Sequence, residues 1–371
     1  MKKIFIIVSV LFFLSYTENV YGMELDDYDF GSLQDVIEQN GTDFDFYDTA
    51  VELKEGDTSV FKNMVVNAKD AIVNEFKFNR DTLGRIIGLA VASAIMGGFA
   101  NVFNNNQIGS TGFTIIYMLL IIVLIGGFMS VLDVTESILR SLLDFMKMLM
   151  PTYFMAVGMS GNVSSTLVFY EITMILIMII EWMFLSVFIP LVKVYVVITI
   201  IDHISKERVL SKMSEMIKKF LAWMMKMSVA AVAGINIIEG MVAPAADSAA
   251  MSALGRVTSI IPGIGSSANA LSGIAISAGN LIKNTIGGAG LIAIVVIAVI
   301  PALKVGVSSA IYQIMPALLQ PVADKRITEC ISVVGSSMEM MFKIILTSAL
   351  LFMITIAIIC MSTNAASYGM S

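Results

Sequence analysis

Apolar and polar positions divide the chain at Leu83. Before it, apolar residues are interleaved with carboxylates. After it come long apolar runs separated by short polar breaks. The runs are Leu83 to Phe103, Gly112 to Leu132, Val168 to Ile201, Phe220 to Glu239, Gly290 to Val307 and Met340 to Met361. Each approaches or exceeds the roughly 20 residues that a helix needs to cross a hydrocarbon core of about 30 Å. The piece Leu142 to Met159 is mixed, carrying Asp144, Lys147 and Pro151, and reads as a broken span or an interfacial hairpin. Pro190 and Pro301 fall inside two other runs, where a missing backbone hydrogen bond is expected to kink the helix. The pattern predicts an all-α polytopic membrane protein with six or seven transmembrane helices, some of them broken or re-entrant.

The first 82 residues read differently. Lys2 and Lys3 precede an apolar stretch, Ile4 to Leu14, that is too short to span. The polar Ser15 to Gly22 follows, so residues 1–22 read as a signal peptide cleaved before Met23, with an uncleaved anchor as the alternative. Residues 23–82 form an acidic extracytoplasmic segment. Its first part is weakly periodic and suits partial disorder or folding on a partner. Phe61, Val65, Ala68, Ile72 and Phe76 then recur at helical spacing, which predicts an amphipathic helix lying on the membrane or on a neighbouring subunit. Residues 83–371 are the multi-span domain.

Composition agrees with the pattern. Apolar residues make up 57% of the 371-residue chain and charged residues only 14%, against about 25% charged in a typical soluble domain. The net charge of −6 is concentrated in the head. Met23 to Thr82 holds fifteen acidic and five basic residues, and the rest of the chain from Leu83 holds thirteen and sixteen. No basic nucleic-acid surface is present. Lys206, Arg208, Lys212, Lys218 and Lys219 make Asp202 to Lys219 the most basic loop, which places it in the cytoplasm. Lys304, Lys325 and Arg326 mark a second cytoplasmic loop.

Catalytic chemistry finds little support. Gly158-Met159-Ser160-Gly161 is one residue short of a nucleophile elbow, and Gly263-Ile264-Gly265 lacks the context of a dinucleotide fingerprint. The carboxylates of the head do not follow a calcium-loop spacing. His203 is the sole histidine, and Cys330 and Cys360 are thirty residues apart, so no catalytic, cofactor-binding or metal-binding residues are assigned. The 28 methionines read as packing. Ionisable residues inside apolar runs remain: Glu171, Glu181 and Lys193 in one, Glu239 ending another. Glu181 and Lys193 are about 18 Å apart along a helix and do not pair with each other. Gly84 and Gly88 have the spacing that lets membrane helices approach closely. Between Pro244 and Gly290 a Gly/Ser-rich stretch reads equally well as a pore-lining or packing element and as an external loop.

Several stretches in order resemble the stage III sporulation protein AE family. They are Met159-Ser160-Gly161-Asn162-Val163-Ser164-Ser165, Ile261-Pro262-Gly263-Ile264-Gly265, Pro301-Ala302-Leu303-Lys304, and Leu319-Gln320-Pro321-Val322-Ala323-Asp324 followed by Ile327-Thr328-Glu329-Cys330. The resemblance implies a non-enzymatic subunit of a secretion-like channel complex joining mother cell and forespore, needed for late forespore gene expression. It would sit in the outer forespore membrane, with the other stage III A sporulation proteins as partners and stage II sporulation protein Q across the intermembrane space. The alternative from the residues alone is a stand-alone secondary transporter or channel for a small solute. That reading requires an internal repeat, and none is evident along the sequence.

Overall fold

The computed structural model describes residues 30–39, 44–55, 59–102, 106–159, 163–204, 210–258 and 281–368. Among these residues every regular element is helical. The proposed signal peptide, the Ser160-Gly161-Asn162 stretch and most of the Gly/Ser-rich stretch lie outside the described residues, as do the side chains of Glu171, Glu181, His203 and Glu239.

Two short helices, α1 (Gly31–Gln39) and α2 (Phe46–Glu55), precede a body of much longer ones. The body begins with α3 (Ser59–Val102) and α4 (Asn106–Met159). Next come α5 (Val163–Met183), a π turn at Phe184–Phe188, and α6 (Ile189–Ile204). α7 (Ser211–Thr258) follows, then α8 (281–294), a π turn at Val295–Val299, α9 (Ile300–Leu319) and α10 (Lys325–Tyr368). Four helical stretches among the described residues are long and apolar enough to cross a membrane: Thr111–Gly158, Ile172–Asp202, Leu281–Leu319 and Lys325–Ala357. The described residues of the runs Leu83 to Phe103 and Phe220 to Glu239 are helical too, but each run extends into positions outside the description.

Three expectations change. The mixed piece Leu142 to Met159 is not a separate broken or re-entrant segment, because it continues the helix that begins at Asn106, with Pro151 inside it. The chain tolerates charge there by placing it outward: Asp144 is exposed, whereas Leu142, Leu143, Phe145, Met146, Leu149 and Met150 are buried. Likewise, the amphipathic stretch Phe61 to Phe78 and the apolar run from Leu83 form one uninterrupted helix, α3. Pro190 and Pro301, finally, are met by π turns. The Ile189 amide donates to the Phe184 carbonyl and the Ile300 amide to the Val295 carbonyl, five residues back. This wider turn ends immediately before each proline, where the ring would otherwise meet the carbonyl four residues back.

The two π turns expose a repeat that hydropathy hides. Ile189-Pro190-Leu191-Val192-Lys193-Val194 and Ile300-Pro301-Ala302-Leu303-Lys304-Val305 share Ile-Pro-x-x-Lys-Val, each after a five-residue π turn.

The head is ordered on the body rather than standing apart. Leu33 and Ile37 of α1 and Phe46 and Ala50 of α2 have no exposed surface. Phe46 packs on Phe30 (ring centroids 5.3 Å apart) and on Phe145 of α4 (6.2 Å). Phe44 and Leu53 pack against Ile292 and Val296 of the chain entering the second π turn. Gln34 ties the helices together, its amide nitrogen donating to the Phe44 carbonyl (3.2 Å) and its oxygen accepting from the Phe46 amide (3.1 Å). The carboxylates Asp35, Glu38, Asp48 and Glu55 all face outward.

Close helix approach also occurs elsewhere than the Gly84–Gly88 spacing suggests. A Cβ on either of those glycines would meet nothing within 4 Å, and Gly84 borders an open groove with Phe76, Lys77, Arg80, Leu83 and Ile87. A Cβ on Gly335 would lie 2.9 Å from the Tyr312 carbonyl carbon and 3.0 Å from the Gln313 nitrogen.

Three outcomes follow from this packing. Gly335→Ala should destabilise the detergent-solubilised protein by about 1–3 kcal/mol through backbone overlap, read as a lowered midpoint of thermal unfolding. Gly84→Ala should leave that midpoint unchanged or raise it slightly. Phe46→Ala should weaken head docking by about 3 kcal/mol, and limited proteolysis should then cut within residues 30–55 while the body stays intact.

Candidate functional site

Three groups of polar side chains stand out, and each is placed by helix packing. The first is a girdle of charge partway along the body. On α4 the exposed or half-exposed positions pass from apolar (Ile115, Met118, Ile122, Met129) to charged (Asp133, Glu136, Arg140, Asp144), while Val131, Leu132, Leu139 and Leu142 stay buried. Lys193 of α6 donates to Glu136 at 3.0 Å, so the partner that Lys193 lacks within its own run lies on another helix. Lys343 of α10 pairs with Glu339 one turn earlier, and Gln313 of α9 donates to the same carboxylate at 3.2 Å.

The second group is a seam where α3 meets α9. The Ser308 hydroxyl donates to Glu75 Oε1 (2.6 Å), and the buried Asn79 amide donates to that oxygen (2.7 Å) and to Ser308 Oγ (3.0 Å). One turn on, the hydroxyl of buried Tyr312 points at Gly127, the position where a side chain would exclude it, and has no hydrogen-bond partner among the described residues.

The third group lies near the far end of α4 and α10. There the Tyr153 hydroxyl and the Cys360 thiol are 2.7 Å apart, both buried. The fully buried Lys283 of α8 lies within electrostatic reach of that thiol. Gly287 leaves room for both: a Cβ there would run into Cys360 Sγ and lie 3.2 Å from the Tyr153 ring. Both cysteines are free and buried, which makes them packing groups rather than reactive thiols. The sequence reading did not single out Lys283, and only packing shows it to be interior.

These arrangements hold helices together. No group of three or more metal-ligating side chains occurs among the described residues. At the turn before α7, the buried Asp202 carboxylate accepts from the Leu210 amide (2.7 Å) and the Ser211 hydroxyl (2.6 Å). It caps the helix that opens the basic loop's far side. Asp324 does the same for α10, its Oδ1 accepting from the Arg326 amide at 2.8 Å.

Comparison with known proteins places this architecture. The family model described as stage III sporulation protein AE matches residues 44–363. The stage III sporulation protein AE of Bacillus subtilis (strain 168) is 22% identical over 294 residues, which is 79% of this chain and 74% of that one. No solved structure matches. The matched region runs from the docked head through α10, so the chain belongs to the stage III sporulation protein AE family.

Proposed function

We propose that this protein is a non-enzymatic membrane subunit of the channel-like complex between mother cell and forespore, and that its acidic head is the surface it offers to partner proteins. Membership of a sporulation family supports the setting. The observation that carries the role is the docked head: its apolar residues are spent on the body, and Asp35, Glu38, Asp48 and Glu55 point away from it. Such a surface is rigid and mostly acidic, which favours an electrostatically complementary protein over lipid. In this reading the head faces the gap between the two membranes, the chain sits in the outer forespore membrane, and the partners are the other stage III A proteins and stage II sporulation protein Q. The complex then serves late forespore gene expression.

The transporter reading gains one observation, the repeated Ile-Pro-x-x-Lys-Val. The repeat spans six residues, so it falls short of the matched half-domains that alternating access uses.

Removing the head altogether would uncover Phe145, Ile292 and Val296, so charge reversal is the cleaner test. The variant carrying Asp35→Lys, Glu38→Lys and Asp48→Lys should insert and unfold like the wild type. It should lose most of its co-purification with the other stage III A proteins from sporulating cells. Undiminished co-purification would remove the head from the interface.

A further inference from the structure

The open groove on α3 joins two cations to a long apolar stripe. Phe76, Lys77, Arg80, Leu83, Gly84 and Ile87 line it, and its volume is about 510 Å³, within the roughly 300–1,000 Å³ of small-ligand sites. These residues recur at spacings of three and four, so they share one side of the helix. The other side, with Asn79, Ile86, Ala90 and Ser93, is buried against the body.

The cations of the groove are unspent. Lys77 and Arg80 are exposed and form no ion pair among the described residues, whereas Lys193, Lys219 and Lys343 are each paired. Glu75, the carboxylate just before them, is turned to the seam with Ser308. Asp81 and Arg85 are exposed too, but they lie about 100° or more round the helix from Arg80 and do not line the groove. Three residues apart on a helix, Lys77 and Arg80 have Cβ atoms about 5–6 Å from each other. Both can therefore reach one phosphate.

Beyond the cations this side of α3 is apolar to its end, and no charged residue follows Arg85 on the helix. Ile87 is 44% exposed, Val91 39% and Ile95 53%. From Leu83 to Ile95 is twelve residues, about 18 Å of helix, against about 15 Å for half of a hydrocarbon core. Helix α4 runs back alongside, with Gly112 against Met96, and its exposed Met118 and Ile122 extend the apolar surface at the same height. A free phosphate would use the cations and leave this stripe bare. A phosphate carrying an acyl chain uses both.

We propose that the groove binds an anionic phospholipid, its phosphate held by Lys77 and Arg80 and one acyl chain laid over Gly84 along Ile87, Val91 and Ile95. Gly84 thereby gains a role that helix packing does not give it. A Cβ there would meet nothing within 4 Å, and the bare backbone lets the chain pass from the cations to the stripe. Arg85 stands about 8 Å further along the axis than Arg80, and its long stem carries the guanidinium back toward the phosphate level.

The test counts lipid on the purified full chain. Delipidated protein is offered phosphatidylglycerol or phosphatidylcholine in detergent, and retained lipid is measured by native mass spectrometry. Wild type should retain phosphatidylglycerol several-fold over phosphatidylcholine. Lys77→Gln/Arg80→Gln should lose most of that preference. Gly84→Leu, which keeps both cations, should lose most of the retained lipid. All three positions are exposed, so both variants should unfold at the wild-type midpoint. Lys212→Gln/Lys218→Gln removes two exposed cations elsewhere and should retain lipid like the wild type. Millimolar glycerol phosphate should not displace the lipid. Wild-type retention by either groove variant, an equal loss in the Lys212→Gln/Lys218→Gln protein, or release by glycerol phosphate alone would overturn the assignment.

Discussion

The approach of α9 to α10 at Gly335 is the contact on which the rest of the body depends. With hydrogen in place of a side chain, the α10 backbone reaches the peptide between Tyr312 and Gln313, and the Ser309 hydroxyl donates to the Gly335 carbonyl at 3.2 Å. That depth of approach carries Tyr312 past α10 to Gly127 on α4, and it brings Gln313 to Glu339. Helix α10 consequently becomes central, touching α4, α6, α7 and α9. In an apolar setting, where water offers helices no incentive to associate, small residues at crossing points and hydrogen bonds between helices supply the association energy. Here both occur at one crossing.

A second constraint is the way the head is held. Its buried residues are few, but Leu33, Ile37 and Phe46 are fully removed from solvent, and with the partly buried Phe44 and Leu53 the head contacts two helices of the body at once. The acidic side chains take no part in that packing. Docking therefore uses one face of the two short helices, and the exposed acidic face can change sequence without disturbing how the head is seated.

How much of this was legible follows from which signals are local. Helical class, membrane character and the acidic head all show in composition and run length, and the family resemblance rested on short motifs that the family match bears out. The continuity of α4 through Pro151 was hidden because hydropathy averages over Asp144 and Lys147, although a helix disposes of charge by facing it outward. The glycines at real crossings, 127, 287, 306 and 335, do not form the Gly-x-x-x-Gly spacing that drew notice at Gly84. Close approach is a property of two helices, so the spacing in one cannot identify it. The repeat was overlooked because only four positions recur within a span of six, and the π turns that make it meaningful have no residue signature of their own.

Each π turn has a mechanical consequence. Along α5 and α6 the buried positions Thr173, Ile177, Ile180, Phe184, Phe188, Val192, Val196 and Ile200 recur almost every fourth residue, slower than the 3.6 of an α-helix. A regular helix would let that stripe drift around its axis. One surplus residue in the wide turn rotates everything downstream by about 100° relative to an unbroken helix and returns the stripe to the interior. Deleting a single residue there would leave composition and hydropathy untouched. It would still turn α6 out of phase with its neighbours, so a length change of one at this point is a harsher lesion than most substitutions.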